Sequence, residues 1–181
     1  MSVRLELDPT TRVTAGAIGE PGQRTFYLQA RSEDTLVTLL LEKQQVALLA
    51  AHIDELLERI GATDVGDTDP DLLDLEEPVE PSFRIGRIGL GFDEGRDLVL
   101  LQCDEFVPEP DEESEPVQVD PDDLGVVRLW VSRGQAYALA RRGESEVAGG
   151  RPICSMCGEP MDPEGHFCPR SNGHREVTRL S

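Results

Sequence analysis

Apolar positions along this chain change period several times, and each change marks a new element. Val3, Leu5 and Leu7 alternate with polar residues, the two-residue period of a strand with one buried face. The same pattern predicts strands over 11–18, 25–30 and 35–41, with Glu20-Pro21-Gly22 and Ser32-Glu33-Asp34 as the turns between them. From Lys43 the period lengthens. Val46, Leu49, Ala50, Ile53, Leu56, Leu57 and Ile60 recur at helical spacing, so a helix is predicted over 43–60 with Gly61 as its stop. His52 falls at the edge of that stripe and reads as a surface or boundary histidine. Beyond residue 80 the order begins again: strands over 83–92 and 97–106 joined at Asp93-Glu94-Gly95, a strand over 126–131, and a second helix starting over 135–142.

The two runs can be laid on one another. An offset of 73 places Gly16 on Gly89, Gly22 on Gly95 and Gln29-Ala30 on Gln102-Cys103. Adding a 17-residue insertion carries Gln45 onto Gln135, Leu49 onto Leu139 and Ala50 onto Ala140. The pattern suggests an α+β fold: a mainly antiparallel sheet with two helices, organised as two pseudo-symmetric β-β-β-α halves related by a pseudo-twofold. On this alignment Cys103 takes the place of an alanine and reads as a small buried apolar residue, not as a ligand.

The net charge of -19 changes the picture of partners, because phosphate backbones and anionic membranes are held by clustered Lys and Arg. No apolar run approaches the roughly 18 residues of a membrane span. The acidity is concentrated: residues 62–80 hold eight acidic and no basic side chains, and residues 104–127 hold ten and none. Both stretches carry prolines, and both read as solvated acidic loops or linkers. A docking surface for a basic partner is the alternative. The division expected is a body over 1–148, with halves of about 1–61 and 82–147, followed by a tail over 149–181.

That tail carries the candidate chemistry. Cys154 and Cys157 form C-x-x-C ahead of Gly158, which can adopt the left-handed backbone of a metal-binding turn, and Cys168 follows beside His166. Three thiolates and one imidazole make a closed tetrahedral site, so structural zinc is the expected cofactor, held by Cys154, Cys157, His166 and Cys168. His174 is the alternative fourth ligand. Gly165 gives His166 the backbone freedom to close a compact second half-site. A redox C-x-x-C normally opens a helix, which Pro160 and Pro163 oppose. No targeting-like segment precedes the cysteines, and a cytoplasmic protein is expected.

These blocks also carry a resemblance. GAIGEPGQRTFYLQAR from Gly16, LEKQQVALLA from Leu41 and GRPICSMCGEPMDPEGHFCPRSNG from Gly150 resemble the signature blocks of an actinobacterial family of unknown function, over essentially the full chain. Its members share C-x-x-C-G-x-P and G-H-x-C-P-R-x-N-G, often with tyrosine at the position of His174, which implies His166 as the ligand. The resemblance implies no known activity. It does imply a gene setting beside a lipid-kinase-like protein, a histidine-phosphatase-like protein and a ligase of mycothiol synthesis, and so a kinase-like protein as a partner.

No G-x-x-x-x-G-K-[ST], G-x-S-x-G, H-E-x-x-H or G-x-G-x-x-G occurs, so the phosphate-loop, esterase, zinc-protease and dinucleotide templates all lack their key groups. The turn from Gly19 to Arg24 could bind an anion through backbone N–H groups and the guanidinium, or simply connect two strands with Arg24 lying along the surface. The reading favoured is a non-catalytic adaptor, or protein-interaction module, with a zinc-stapled tail. A zinc-dependent hydrolase with Glu159 or Glu164 as general base is the second reading. An RNA-binding zinc ribbon using Arg170, Arg175 and Arg179 is the third, opposed by the charge of the body.

Overall fold

The computed structural model describes residues 2–62, 73–109, 119–149, 154–159, 161, 166 and 168–170. Its elements are β1 (Arg4–Leu7), β2 (Arg12–Ile18), β3 (Thr25–Ser32), β4 (Thr35–Leu41), α1 (Lys43–Arg59), β5 (Phe83–Asp93), β6 (Leu98–Glu105), β7 (Val126–Val131) and α2 (Arg133–Ala148). They follow the predicted order, and α2 runs further than its apolar pattern indicates. No helix among the described residues is long and apolar enough to cross a membrane.

The strands form one sheet in the order β1-β7-β6-β5-β4-β3-β2, antiparallel except for β1 with β7 and β4 with β5. β1 and β2 occupy opposite edges, although only Asp8 to Thr11 lie between them. Six interstrand steps would hold flat edges about 29 Å apart. The chain from Leu7 to Arg12 reaches at most about 18 Å. The sheet therefore has to curl until its edges approach. Thr10 N–H donates to the Trp130 carbonyl of β7 at 2.9 Å, and Thr11 N–H donates to the Arg31 carbonyl of β3 at 2.8 Å. Leu28, Leu39, Leu101 and Leu129 from the strands, with Ile53 and Leu139 from the helices, fill the core. Cys103 lies in this core, and burial pushes its thiol pKa up to about 12, as expected of an inert apolar position.

The two β-β-β-α runs, β2 to α1 and β5 to α2, contact each other reciprocally. Both helices open with a capping box: Gln45 serves Glu42 in α1, and Gln135 serves Ser132 in α2. Gln45 then reaches the first strand of the other half, and Gln135 reaches the link just ahead of the first strand of its counterpart. Gln45 Nε2 donates to the Ile85 carbonyl at 3.0 Å, and Gln135 Nε2 donates to the Thr10 carbonyl at 2.8 Å. Contacts exchanged in this way are what a pseudo-twofold requires. An offset of 90 superposes the helices and also carries Val37, Leu39 and Leu41 of β4 onto Val127, Leu129 and Val131 of β7, all buried. The offset of 73 holds for β3 on β6 but not for β2 on β5. Gly16 pairs with Tyr27 and Gly91 with Leu100, so the first strands correspond at 75, because the β5–β6 turn is two residues shorter. Gly16 thus matches Gly91, not Gly89.

Part of each acidic stretch is built into the fold. Residues 73–76 lie against β2 and β3, and Asp74 Oδ1 reaches round to accept from Arg142 Nη2 of α2 at 3.0 Å. Thr14 Oγ1 donates to the Leu73 carbonyl, Glu76 N–H donates to Gln29 Oε1 at 2.7 Å, and Gln29 Nε2 donates back to the Glu76 carbonyl at 3.0 Å. Leu75 sits over Gly16, where a Cβ would fall 2.6 Å from its Cγ. The Glu76 carboxylate pairs with Arg31, whose hydrogen bond holds it below the usual carboxylate range. The apolar leucines and fixed partners make this segment a strap over the sheet. In the second stretch Asp104 and Glu105 belong to β6, Val126 and Val127 to β7, and Pro121–Asp123 forms a short 3-10 turn. Residues 63–72 and 110–118 lie outside the described residues.

Candidate metal centre

The turn after Cys154 is set by its backbone. Cys154 N–H donates to the Glu159 carbonyl and Gly158 N–H donates to the Cys154 carbonyl, both at 2.8 Å. Gly158 has φ of +75° with open space around it, the left-handed position that a side chain would strain. This fold-back brings Cys154 and Cys157 to one side and leaves Met156 at the exposed tip. Arg170, which the sequence offered as an RNA contact, donates from Nη1 to the Met156 carbonyl at 2.9 Å and ties the second half of the tail to the first.

Cys154, Cys157, His166 and Cys168 present four ligand atoms within 4.8 Å of one another. Around a tetrahedral zinc with Zn–S bonds of about 2.3 Å, sulfur atoms stand about 3.8 Å apart. Cys154 Sγ and Cys168 Sγ are 3.9 Å apart, and Cys157 Sγ lies 3.7 Å from His166 Nε2. The separations match a four-coordinate metal and are far too long for a disulfide, whose sulfurs lie about 2.05 Å apart. Cys154 and Cys168 are buried, while Cys157 and His166 are half-buried.

The electrostatics prepare Cys154 for ligation but not Cys157, whose pKa is raised, a backbone hydrogen bond from Glu159 being outweighed by burial and by the neighbouring Cys154 and Cys168 sulfurs. Backbone N–H groups of Cys157 and Met156 hydrogen-bond the Cys154 sulfur and lower its pKa to about 6, against the opposing effect of burial. A hydrogen bond to the Cys154 thiolate raises the pKa of His166. By their geometry the four residues could hold a metal ion; Cys154 is the ligand already inclined to thiolate, while Cys157 and His166 would each have to give up a proton to bind.

Of the remaining candidates, Glu159 contributes its main-chain carbonyl to the turn and has an exposed side chain. Glu164, Phe167, His174, Arg175 and Arg179 lie outside the described residues. The turn from Gly19 to Arg24 is structural. Gly19 and Gly22 take φ of +119° and +90°, and the Arg24 guanidinium donates to the Glu146 carboxylate at 2.5 Å and to the Glu146 carbonyl at 2.8 Å. Both side chains of that pair are about 15% exposed or less, so Arg24 is committed to holding α2 against the β2–β3 turn and not to an anion. His52 is exposed, as predicted.

Neither the curated proteins nor the solved structures provide a match to the chain. One family model does match, over residues 5–168, a span that takes in the sheet, both helices and all four cluster residues. The chain belongs to the family described as protein of unknown function (DUF3090).

Proposed function

We propose that this protein is a non-catalytic interaction module whose C-terminal tail is stapled by structural zinc and presents a binding surface to another protein. The observation that carries this reading is the composition of the cluster: three thiols and one imidazole converge within 4.8 Å, which fills a tetrahedral shell with protein atoms. Catalytic zinc usually keeps one position for water and only three protein ligands. Bound there, zinc would order the tail, fixing Met156, 50% exposed at the tip of the turn, in one conformation before a partner arrives. The residues over 149–181 then act as a unit distinct from the body over 1–148, and a kinase-like protein is the first partner to test.

The experiment is a pull-down from the native host with the full, tag-free-eluted chain, read by mass spectrometry, beside elemental analysis of the purified protein. One zinc per chain and a stoichiometric protein partner lost on Cys154→Ser support the reading. Metal-dependent hydrolytic turnover by the isolated protein, abolished by Glu159→Gln with zinc retained, would replace it with the hydrolase reading.

A further inference from the structure

The pseudo-twofold is broken at one place. α2 packs directly on β2, but α1 stands away from β5, and between them runs a cleft of about 980 Å³. The counterpart positions give the reason. Ile88, Leu90 and Phe92 of β5 correspond to Val13, Ala15 and Ala17 of β2, and Leu48 of α1 corresponds to Ala138 of α2. Small side chains let the second helix close on its strand, whereas large ones hold the first helix off. Leu48 is left 57% exposed, and Ile88, Leu90 and Phe92 are only partly covered. A volume of this size is at the upper end of ordinary ligand sites, about 300–1,000 Å³.

One wall of the cleft is main chain. β4 pairs with β5 only through Leu39 with Phe83 and Leu40 with Arg84, and Gln45 takes the Ile85 carbonyl. From Arg87 to Asp93 the strand is paired with β6 on one side, and among the described residues no strand lies on the other. Arg87 and Gly91 line the cleft together with Ile88 and Leu90. Gly86 and Gly91 have no side chain and can line the cleft only with main-chain atoms, which places it along the strand's edge. Exposed edges are ordinarily blunted by lysine, proline or a bulge; β5 has neither lysine nor proline, and its bulge falls at Gly86, the start of this run, which also carries Gly89 and Gly91. The edge is instead recessed behind α1. Around it stand Arg59, Arg87 and Arg133 with Glu55 and Glu94; Asp104 holds Arg87 and Asp97 holds Arg133, so among the described residues Arg59 is the cleft arginine with no carboxylate bonded to it.

We propose that the cleft between α1 and β5 binds an extended peptide of a partner protein as an added strand on the free edge of β5, with apolar side chains at alternate positions and a carboxylate for Arg59. Main-chain hydrogen bonds to Gly86 through Asp93 would supply affinity, and the apolar row of Ile88, Leu90 and Phe92 would select the side chains. This site goes beyond the zinc-stapled tail and needs no metal.

A random heptapeptide phage library panned against the full chain supplies the probe, and the enriched peptide is then synthesised. An added strand bonds through alternate residues only. N-methylation at one set of alternate positions should therefore abolish binding, while methylation of the intervening set leaves it unchanged. Amides of β5 should exchange more slowly with peptide bound, and Arg59→Glu should weaken binding about tenfold or more while leaving the circular dichroism spectrum intact. Retention of binding by Cys154→Ser separates this site from the tail. Failure to enrich any peptide, equal effects of the two methylation sets, or protection confined to another element overturns the proposal.

Discussion

Gln29 and Gln102 occupy equivalent places in the two halves, and the strap over the first half should make their truncations unequal. Gln29 is fully buried; its Nε2 donates to Thr38 Oγ1 at 3.1 Å and to the Glu76 carbonyl at 3.0 Å, and its Oε1 accepts from Glu76 N–H at 2.7 Å. Gln29→Ala removes those three bonds in a place where water enters poorly. At about 1 kcal/mol for each bond, and more where a buried group is left unpaired, the loss comes to about 3 kcal/mol. Gln102 is half-buried, with Nε2 on Asp104 Oδ1 and Oε1 accepting from Arg128 Nε, both at 2.9 Å. Water can replace these partners, so Gln102→Ala should cost about 1 kcal/mol or less. Urea unfolding followed by the fluorescence of Trp130, the single tryptophan, measures both. Trp130 stands in β7, in the half opposite Gln29, and so reports global unfolding and not local fraying. Hydrogen exchange at the Glu76 amide gives the local readout, and it should speed up in Gln29→Ala alone. Equal costs for the two substitutions, or a cost near zero for Gln29→Ala, would refute the strap.

The strap also has a pH signature. Arg31 depresses the Glu76 pKa, and a depressed carboxylate contributes stability that is present above its unfolded value of 4.5 and lost as pH falls through the lower folded one, so acid titration should destabilise wild type more than Glu76→Gln. At the metal centre, Cys168→Ser should release the metal and leave the unfolding of the sheet unchanged, as measured by elemental analysis beside Trp130 fluorescence. His166→Ala should lose metal under chelator challenge and His174→Ala should keep it; the reverse ranking would move the fourth ligand to His174. Because thiolate and neutral imidazole are the ligating forms, protons compete with the metal, and metal retention should fall as pH is lowered, measured by equilibrium dialysis.

Much of this architecture is written in local patterns. Strand alternation depends only on which side chains must leave water, and the helical stripe from Val46 to Leu57 depends on the same requirement at a longer period, so element order and type could be read without knowing any contact. The cluster was equally legible, since C-x-x-C with a glycine behind it specifies its own turn, and the ligands lie within fifteen residues of one another. Cys103 too was placed correctly by its match to Ala30.

Tertiary structure decided what local pattern cannot carry. Composition made residues 73–76 part of an acidic linker, because counting charges does not register that Leu75 meets Gly16 or that Glu76 meets Arg31 from 45 residues away. Sequence matching placed Gly16 on Gly89, because a turn shortened by two residues leaves the glycines in similar surroundings; only strand register shows that Gly91 is the partner. Curling of the sheet follows from a short link whose consequence appears only once its two strands are known to lie at opposite edges. The cleft beside β5 is likewise a property of packing. Leu48, Ile88, Leu90 and Phe92 look like ordinary core residues in the sequence, and it is their bulk, set against the alanines at the equivalent contact, that keeps α1 from closing on its strand.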